Sequence, residues 1–222
     1  DGRFGGLRHL QRLGSGGIGA FTEPTGEGKR WPGQNEGQYG QSLWFTRSED
    51  EGENWSDPVM VSEPYNNASM HGGIVTHTGR IVVSAYNLVG EHLREKWVNV
   101  EGSRAMYGDE LVSVGPHGFD AFMTYCWAYL SDDEGASWRT NDRKGVWAAG
   151  GELFVNRDHS AGGHWRANEP VVAEVSDDHI LMLQRTPLGR LYQSWSSDNG
   201  TTWSQSEPTS LASALAPAAL VR

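Results

Sequence analysis

The sequence predicts an all-β fold of the β-propeller kind, and three observations predict it. The pattern S-x-D-x-G-x-x-W occurs three times without a mismatch, as "SEDEGENW" (48–55), "SDDEGASW" (131–138) and "SSDNGTTW" (196–203). Each copy follows a run rich in aromatic and β-branched residues, "SLWFTR", "AFMTYCWAYL" and "RLYQSW", which is strand composition. Upstream of each lies a further apolar pair of runs broken by a short polar or Gly-rich turn: "LQRLGSGGIGAF", "GGIVTHTGRIVVSAY" and "PVVAEVSDDHILMLQR". Each repeat therefore reads as two hairpins in succession. Four-stranded antiparallel units in series are the pattern of a propeller. A β-sandwich, which also alternates short strands and turns, is the rival architecture.

The first repeat spans about residues 7–62, the second 68–147 and the third 167–210; 213–222, with "ALAPAALVR", opens a further one. Within each motif the residue types suit a hairpin turn. The Asp (Asp50, Asp133, Asp198) accepts backbone N–H bonds across the turn, beside a Ser (Ser48, Ser131, Ser196) that can share them. The Gly (Gly52, Gly135, Gly200) supplies a positive φ. The Trp (Trp55, Trp138, Trp203) packs back over the hairpin. None of this needs a ligand, so these twelve residues are read as structural.

At 222 residues the chain can bury a sizeable core. Its 18 Lys and Arg against 28 Asp and Glu give a net charge of −10, which argues against nucleic-acid or anionic-membrane partners because both need a basic face. The single Cys126 excludes an intrachain disulfide framework and a multi-cysteine metal site, and reads as a packed thiol. There is no run of 18 apolar residues of the kind that spans a membrane. The start, "DGRFGGLRHL", carries neither an initiator Met nor a signal peptide, as expected of a processed chain or a fragment.

Topology says which face works. If strand A of a repeat runs from top to bottom, an antiparallel meander brings B up, C down and D up. The A–B turns and the motif turns then share the bottom, and the long connections 24–41, 87–120 and 139–168 lie on top. Long connections in a compact domain are usually functional. Aligning the A–B turns at Ile18, Ile81 and Ile180 puts Glu23, Tyr86 and Arg185 at the tip of strand B, while strand A begins near Arg8, His71 and Glu169. These six polar side chains converge on one mouth. A His–Tyr pair near an arginine, as His71 and Tyr86 would be, has the parts of a uronate lyase: the arginine neutralises a carboxylate and the pair moves protons. His117, His159, His164 and Asp158 lie on the long connections with no strand to fix them, so no metal site is read there. Trp31, Trp97, Trp147 and Trp165 lie in or beside the same segments, where an indole could stack on a sugar ring.

The triple S-x-D-x-G-x-x-W resembles the Asp box of the sialidase superfamily, over nearly the whole chain from about Leu7 to Arg222. The resemblance implies a six-bladed propeller with the box between the third and fourth strands of a blade, about three blades and part of a fourth being present, the missing blades of the parent chain completing the mouth. It implies a sialidase-like glycoside hydrolase acting on an acidic or decorated glycan, with no cofactor; a uronate-directed lyase and a non-catalytic carbohydrate-binding propeller are the alternatives. "NEPVVAEV" followed by "LMLQR" is similar to the stretch in which a glutamate supports the nucleophile and an arginine holds the substrate carboxylate. By that match Glu169 is the glutamate and Arg185 the arginine, whose planar fork suits a carboxylate. The plain alternative is a structural Arg–Glu pair tying two strand ends. Arg8 stands where the family has a first-blade arginine, without the Ile-Pro that follows it there. The segment "EPTGEGKRWPGQNEGQYG" offers Glu23, Glu27 or Glu36 where the family's acid is an aspartate. The nucleophile and third arginine would lie beyond Arg222, so residues 1–222 alone are expected to lack full activity. The resemblance favours an extracellular or periplasmic setting.

Overall fold

The computed structural model describes residues 4–24, 43–61, 69–89, 104–107, 110–113, 123–142, 153–154, 167–186, 189–213 and 216–220. In the first sheet, β1 (Phe4–Arg12), β2 (Ile18–Pro24), β3 (Trp44–Ser48) and β4 (Val59–Met60) follow one another as an antiparallel meander. Its first turn closes with the Leu13 N–H donating to Gly17 O at 2.8 Å, with Gly16 at φ 93°. The second sheet holds β5 (Ser69–Val75), β6 (Ile81–Val89), β9 (Met123–Ser131) and β10 (Arg139–Thr140). The chain between β6 and β9, which pair directly, holds a separate antiparallel pair of β7 (Arg104–Tyr107) and β8 (Glu110–Ser113), and β11 (Leu153–Phe154) pairs with the outer edge of β9 beside Cys126 and Tyr125. The third sheet repeats the meander with β12 (Asn168–Ser176), β13 (His179–Arg185), β14 (Arg190–Ser196) and β15 (Glu207–Ala212).

Two of the long connections therefore carry strand where the sequence predicts only connecting segments. Residues 87–89 extend β6, 104–107 and 110–113 pair as two short strands, and 153–154 form a second piece of the outer edge of the middle sheet. The reason is pairing: β9 is nine residues long and β10 covers only its Tyr129 and Leu130, so the rest of its edge is open to Leu153 and Phe154.

The sheets stack face to face in chain order, with the inner strands side by side, β1 against β5 and β5 against β12. That rules out a two-sheet sandwich and is the radial arrangement of a propeller. One apolar cluster joins Leu13, Phe21 and Phe45 of the first sheet to Ile81, Val83, Trp127 and Tyr129 of the second. Another joins Val82, Cys126, Ala128 and Leu130 of the second to Val172, Ile180, Met182 and Trp203 of the third. The middle sheet is covered on both faces, which is why β9 reads as the unbroken apolar run "YCWAYL" instead of alternating. On the far face of the third sheet, Ala218 and Leu220 pack against Val171, Leu183 and Leu191.

The three Asp boxes have one hydrogen-bond pattern. In the third, Ser196 Oγ donates to Asp198 Oδ1 and accepts from Gly200 N–H, both at 2.8 Å; Thr202 N–H donates to Asp198 Oδ1 at 2.7 Å, and Trp203 Nε1–H to Gly200 O at 2.9 Å. The first and second repeat these bonds through Ser48, Asp50, Gly52 and Trp55, and through Ser131, Asp133, Gly135 and Trp138. The glycines stand at φ 86–93°, and the residues before them, Glu51, Glu134 and Asn199, are also left-handed at 54–57°.

Each later box also grips the preceding sheet. Glu134 Oε1 accepts from the Ser15 N–H at 2.7 Å, and Trp138 packs edge-on against Phe21 and Phe45. Asn199 Nδ2–H donates to Thr78 Oγ1 at 2.7 Å, while Arg80 Nη1–H donates to Asn199 O and Thr201 Oγ1, both at 3.0 Å. These bonds put the A–B turns and the box turns on one face of the molecule, as the meander requires. The starts of β1, β5 and β12 and the ends of β2, β6 and β13 consequently share the other.

Candidate functional site

On that opposite face the inner hairpins depart from regular pairing, each in the same place. In the third sheet Asn168 pairs with Arg185 and Val171 with Leu183, leaving Glu169 and Pro170 opposite the single residue Gln184. In the second, Met70 pairs with Ala85 and Gly72 with Ser84, so His71 is an extra residue. In the first, Leu7 pairs with Thr22 and His9 with Phe21, so Arg8 is extra, and Gly5 and Gly6 oppose Glu23. An extra residue in one strand of a pair is a β-bulge, which re-aims side chains and is over-represented beside active sites. Arg8, His71 and Glu169 all lie in such bulges. The local cause is in the sequence: Pro170 has no N–H to give the ladder, and the pairs Gly5-Gly6 and Gly72-Gly73 add no side chain to hold it regular.

The register refines two positions. β1 begins at Phe4, so Arg8 lies inside the strand and not at its start. β6 runs on to Val89, so Tyr86 is also internal; it pairs with Ser69 as Arg185 pairs with Asn168, and half-buried it packs on the cluster between the second and third sheets. Arg8 is exposed. Glu23 and His71 have their backbones placed at the mouth, and their side chains fall outside the described residues. Glu27, Glu36, Trp31, Trp97, Trp147, Trp165, His117, His159, His164 and Asp158 also lie outside the described residues.

Glu169 and Arg185 are brought together directly. Arg185 Nη1–H donates to Glu169 Oε2, with the two side chains 19% and 18% exposed. The Arg185 Nε is buried and has no hydrogen-bond partner among the described residues. The guanidinium as a whole keeps part of its surface exposed on this face, and its planar fork suits a carboxylate. Glu169 itself stands at φ 45°. The left-handed region is costly for a residue with a Cβ, and the following proline disfavours it further. Non-glycine residues held in such conformations cluster at binding and catalytic sites.

Sequence reasoning missed the groups that flank this bulge from the middle sheet. The Ser84 hydroxyl, fully buried, lies 2.6 Å from Pro170 O and 3.1 Å from Gly72 O, and the Cys126 thiol donates to Ala167 O at 3.4 Å. Burial pushes the Cys126 thiol far above its ordinary pKa, so it is held as a neutral donor. The one signal available was a hydroxyl inside the apolar run "RIVVSAY". Among the described residues no group of three or more His, Cys, Asp or Glu is placed to hold a metal ion, and no helix is long and apolar enough to cross a membrane.

Three stacked sheets, each a four-stranded meander with β11 added to the middle one, carry S-x-D-x-G-x-x-W turns on one face and bulged inner strands on the other, and define a β-propeller of the Asp-box class. The chain belongs to the BNR repeat-like domain family, which it matches over residues 30–222. It is similar in fold to the α-L-arabinofuranosidase Arb93A from Fusarium graminearum, at 11% identity and a TM-score of 0.53, covering 97% of this chain and 52% of that one. It is also similar to the Hadza microbial sialidase Hz136, at 17% identity, a TM-score of 0.49 and coverage of 86% and 30%. The NanB sialidase from Streptococcus pneumoniae matches at 13% identity, a TM-score of 0.39 and coverage of 95% and 52%. The chain thus spans about half or less of the length of these structures. No curated protein sequence matches it.

Proposed function

We propose that the chain forms part of a sialidase-like glycoside hydrolase acting on an acidic or otherwise decorated glycan, with Arg185 binding the anionic group and Glu169 supporting catalysis. The observation that carries the reading is Arg185: one arm engages Glu169 while the side chain stays partly exposed on the face of the bulged hairpins. In this reading the propeller has six blades. The described sheets supply one sector of its mouth, to which Arg8, Glu23, His71 and Tyr86 contribute substrate contacts. Glu169 acts on a neighbouring hydroxyl, withdrawing its proton or stabilising the charge that forms as it attacks.

The test is product analysis in the full-length protein with a panel of acidic and neutral aryl-glycosides. Replacing Arg185 by Leu should raise KM for acidic substrates by about 10- to 100-fold, the worth of one charge-assisted hydrogen bond, and leave neutral ones nearly unchanged. Glu169→Gln should lower kcat on both. An unsaturated uronate product absorbing in the ultraviolet would overturn the hydrolase reading in favour of a lyase, and binding without any product would favour a carbohydrate-binding propeller.

A further inference from the structure

We infer that Ser84 is a positioning residue for Glu169: its buried hydroxyl, reaching across from the neighbouring sheet, holds the bulge that presents the Glu169 carboxylate to Arg185. The inference rests on the proposed role of Glu169. A strained backbone persists only where the surroundings over-determine it. Glu169 is strained twice, by its left-handed φ of 45° and by the proline that follows.

Two anchors flank it. On one side Ala167 O accepts from Cys126 Sγ–H, and on the other Pro170 O accepts from Ser84 Oγ–H. Both donors belong to the middle sheet, Ser84 to β6 and Cys126 to β9, so the bulge at Glu169 is held from outside its own sheet as well as from within it. Of the two, Ser84 is the stronger. A hydroxyl at 2.6 Å is a full hydrogen bond, whereas a thiol is a weak donor. Ser84 has a single proton to share between Pro170 O and Gly72 O, and the shorter distance assigns it to Pro170. Pro170 lies in the bulge, outside the register between β12 and β13, so this bond stands in for a ladder partner.

Without the hydroxyl, a buried carbonyl would be left unpaired and the segment would be free to relax toward the extended conformation that a residue before proline prefers. The Glu169 carboxylate would then leave Arg185. A role confined to gluing sheets together would weaken the fold without moving Glu169.

The experiment is Ser84→Ala in the full-length protein, read in two ways. The first is the carbon chemical shifts of Glu169 Cα and Cβ, which report whether the residue is left-handed or extended and need no substrate. They are expected to move to extended values, while those of the third Asp box stay put. The second is turnover of the best aryl-glycoside, where kcat should fall by roughly 10- to 100-fold with KM within about twofold, the mark of a misplaced group. If Ser84→Ala does not fold, Ser84→Cys, slightly bulkier but with a weak donor kept, is expected to give an intermediate shift and loss. Left-handed Glu169 shifts in the folded variant, or an unchanged kcat, would overturn the inference. Absence of turnover in the unsubstituted protein would instead count against the hydrolase reading, and the Glu169 shifts would still decide the role of Ser84.

Discussion

Alanine at Gly135 tests whether the Asp box is a docking element as well as a turn. A Cβ there would stand 2.0 Å from Phe45 Cε1 and 2.3 Å from Cδ1, and it would have to be carried at φ 88°. The ring cannot step aside. Its other flank meets Gly19, where a Cβ would lie 2.7 Å from Phe45 Cε2, and it packs against Phe21 and Trp138 at centroid distances of 5.0 and 5.4 Å. Three substitutions separate the two costs. Gly79→Ala, at φ 86° with nothing within 4 Å, carries backbone strain alone, about 1–2 kcal/mol. Gly19→Ala has no positive φ and carries overpacking alone, about 1–3 kcal/mol. Gly135→Ala carries both, about 2–5 kcal/mol, a large part of a stability that for a domain totals about 5–15 kcal/mol. Urea unfolding at constant slope would measure all three. If Gly135→Ala costs no more than Gly79→Ala, the box does not clamp the preceding sheet through Phe45, and the packing argument is wrong.

Four further outcomes are expected. The His77 ring pairs with Glu174 across the second and third sheets at 2.7 Å, and that bond, with Asp177 and Asp178 nearby, raises the His77 pKa. Its stabilisation is complete below the unfolded value of about 6.5 and is lost as pH rises through the folded one. His77→Gln should abolish this decline in the denaturation midpoint above pH 6.5. His9 runs the other way, because burial lowers its pKa against a weaker opposing bond to Gly73; stability should fall with pH below about 6.5 in wild type and in His77→Gln, and not in His9→Gln. Arg80→Ala removes bonds to Asp132, Asn199 O and Thr201 from a mostly buried guanidinium and should cost about 2–3 kcal/mol by urea titration. Hydrogen bonds from Asn54 and Ser48 hold the Asp50 carboxyl below the ordinary range, so the first box keeps its contribution down to about pH 4 and loses it below, which Asp50→Asn should flatten.

What could be read from residues alone was what residues decide locally. The Asp-box turn is closed by Ser, Asp, Gly and Trp within eight positions, so one line of sequence contains its whole hydrogen-bond pattern. The A–B hairpins announce themselves through Gly16, Gly79 and the Asp-Asp turn at 177–178 for the same reason. Glu169 and Arg185 lie 16 residues apart across one hairpin, and counting along it puts them on one rim, with a direct pair as one of the readings the sequence leaves open. The bulges did not follow, because a bulge is a choice of register. The one at Glu169 is settled by Ser84, 86 positions before Pro170 and in another sheet. Nor did the grip of each box on the preceding sheet, since Gly135 serves a turn and a close approach with the same missing side chain. The strand at 153–154 went unread because it is defined only by the vacant edge of β9.

The direction of that grip bears on how the chain is made. Phe45, in the first sheet, is covered by Gly135 and Trp138, which the ribosome adds much later. At about 5–20 residues per second, on the order of ten seconds separate the synthesis of the aromatic face from that of its lid. The second sheet waits in the same way for Trp203. A nascent chain paused before residue 131 would carry Phe21 and Phe45 without Gly135 and Trp138 over them, an incompletely covered apolar face of the kind from which chaperone capture or aggregation begins. Slow translation between residues 48 and 131 is therefore a hazard to this protein.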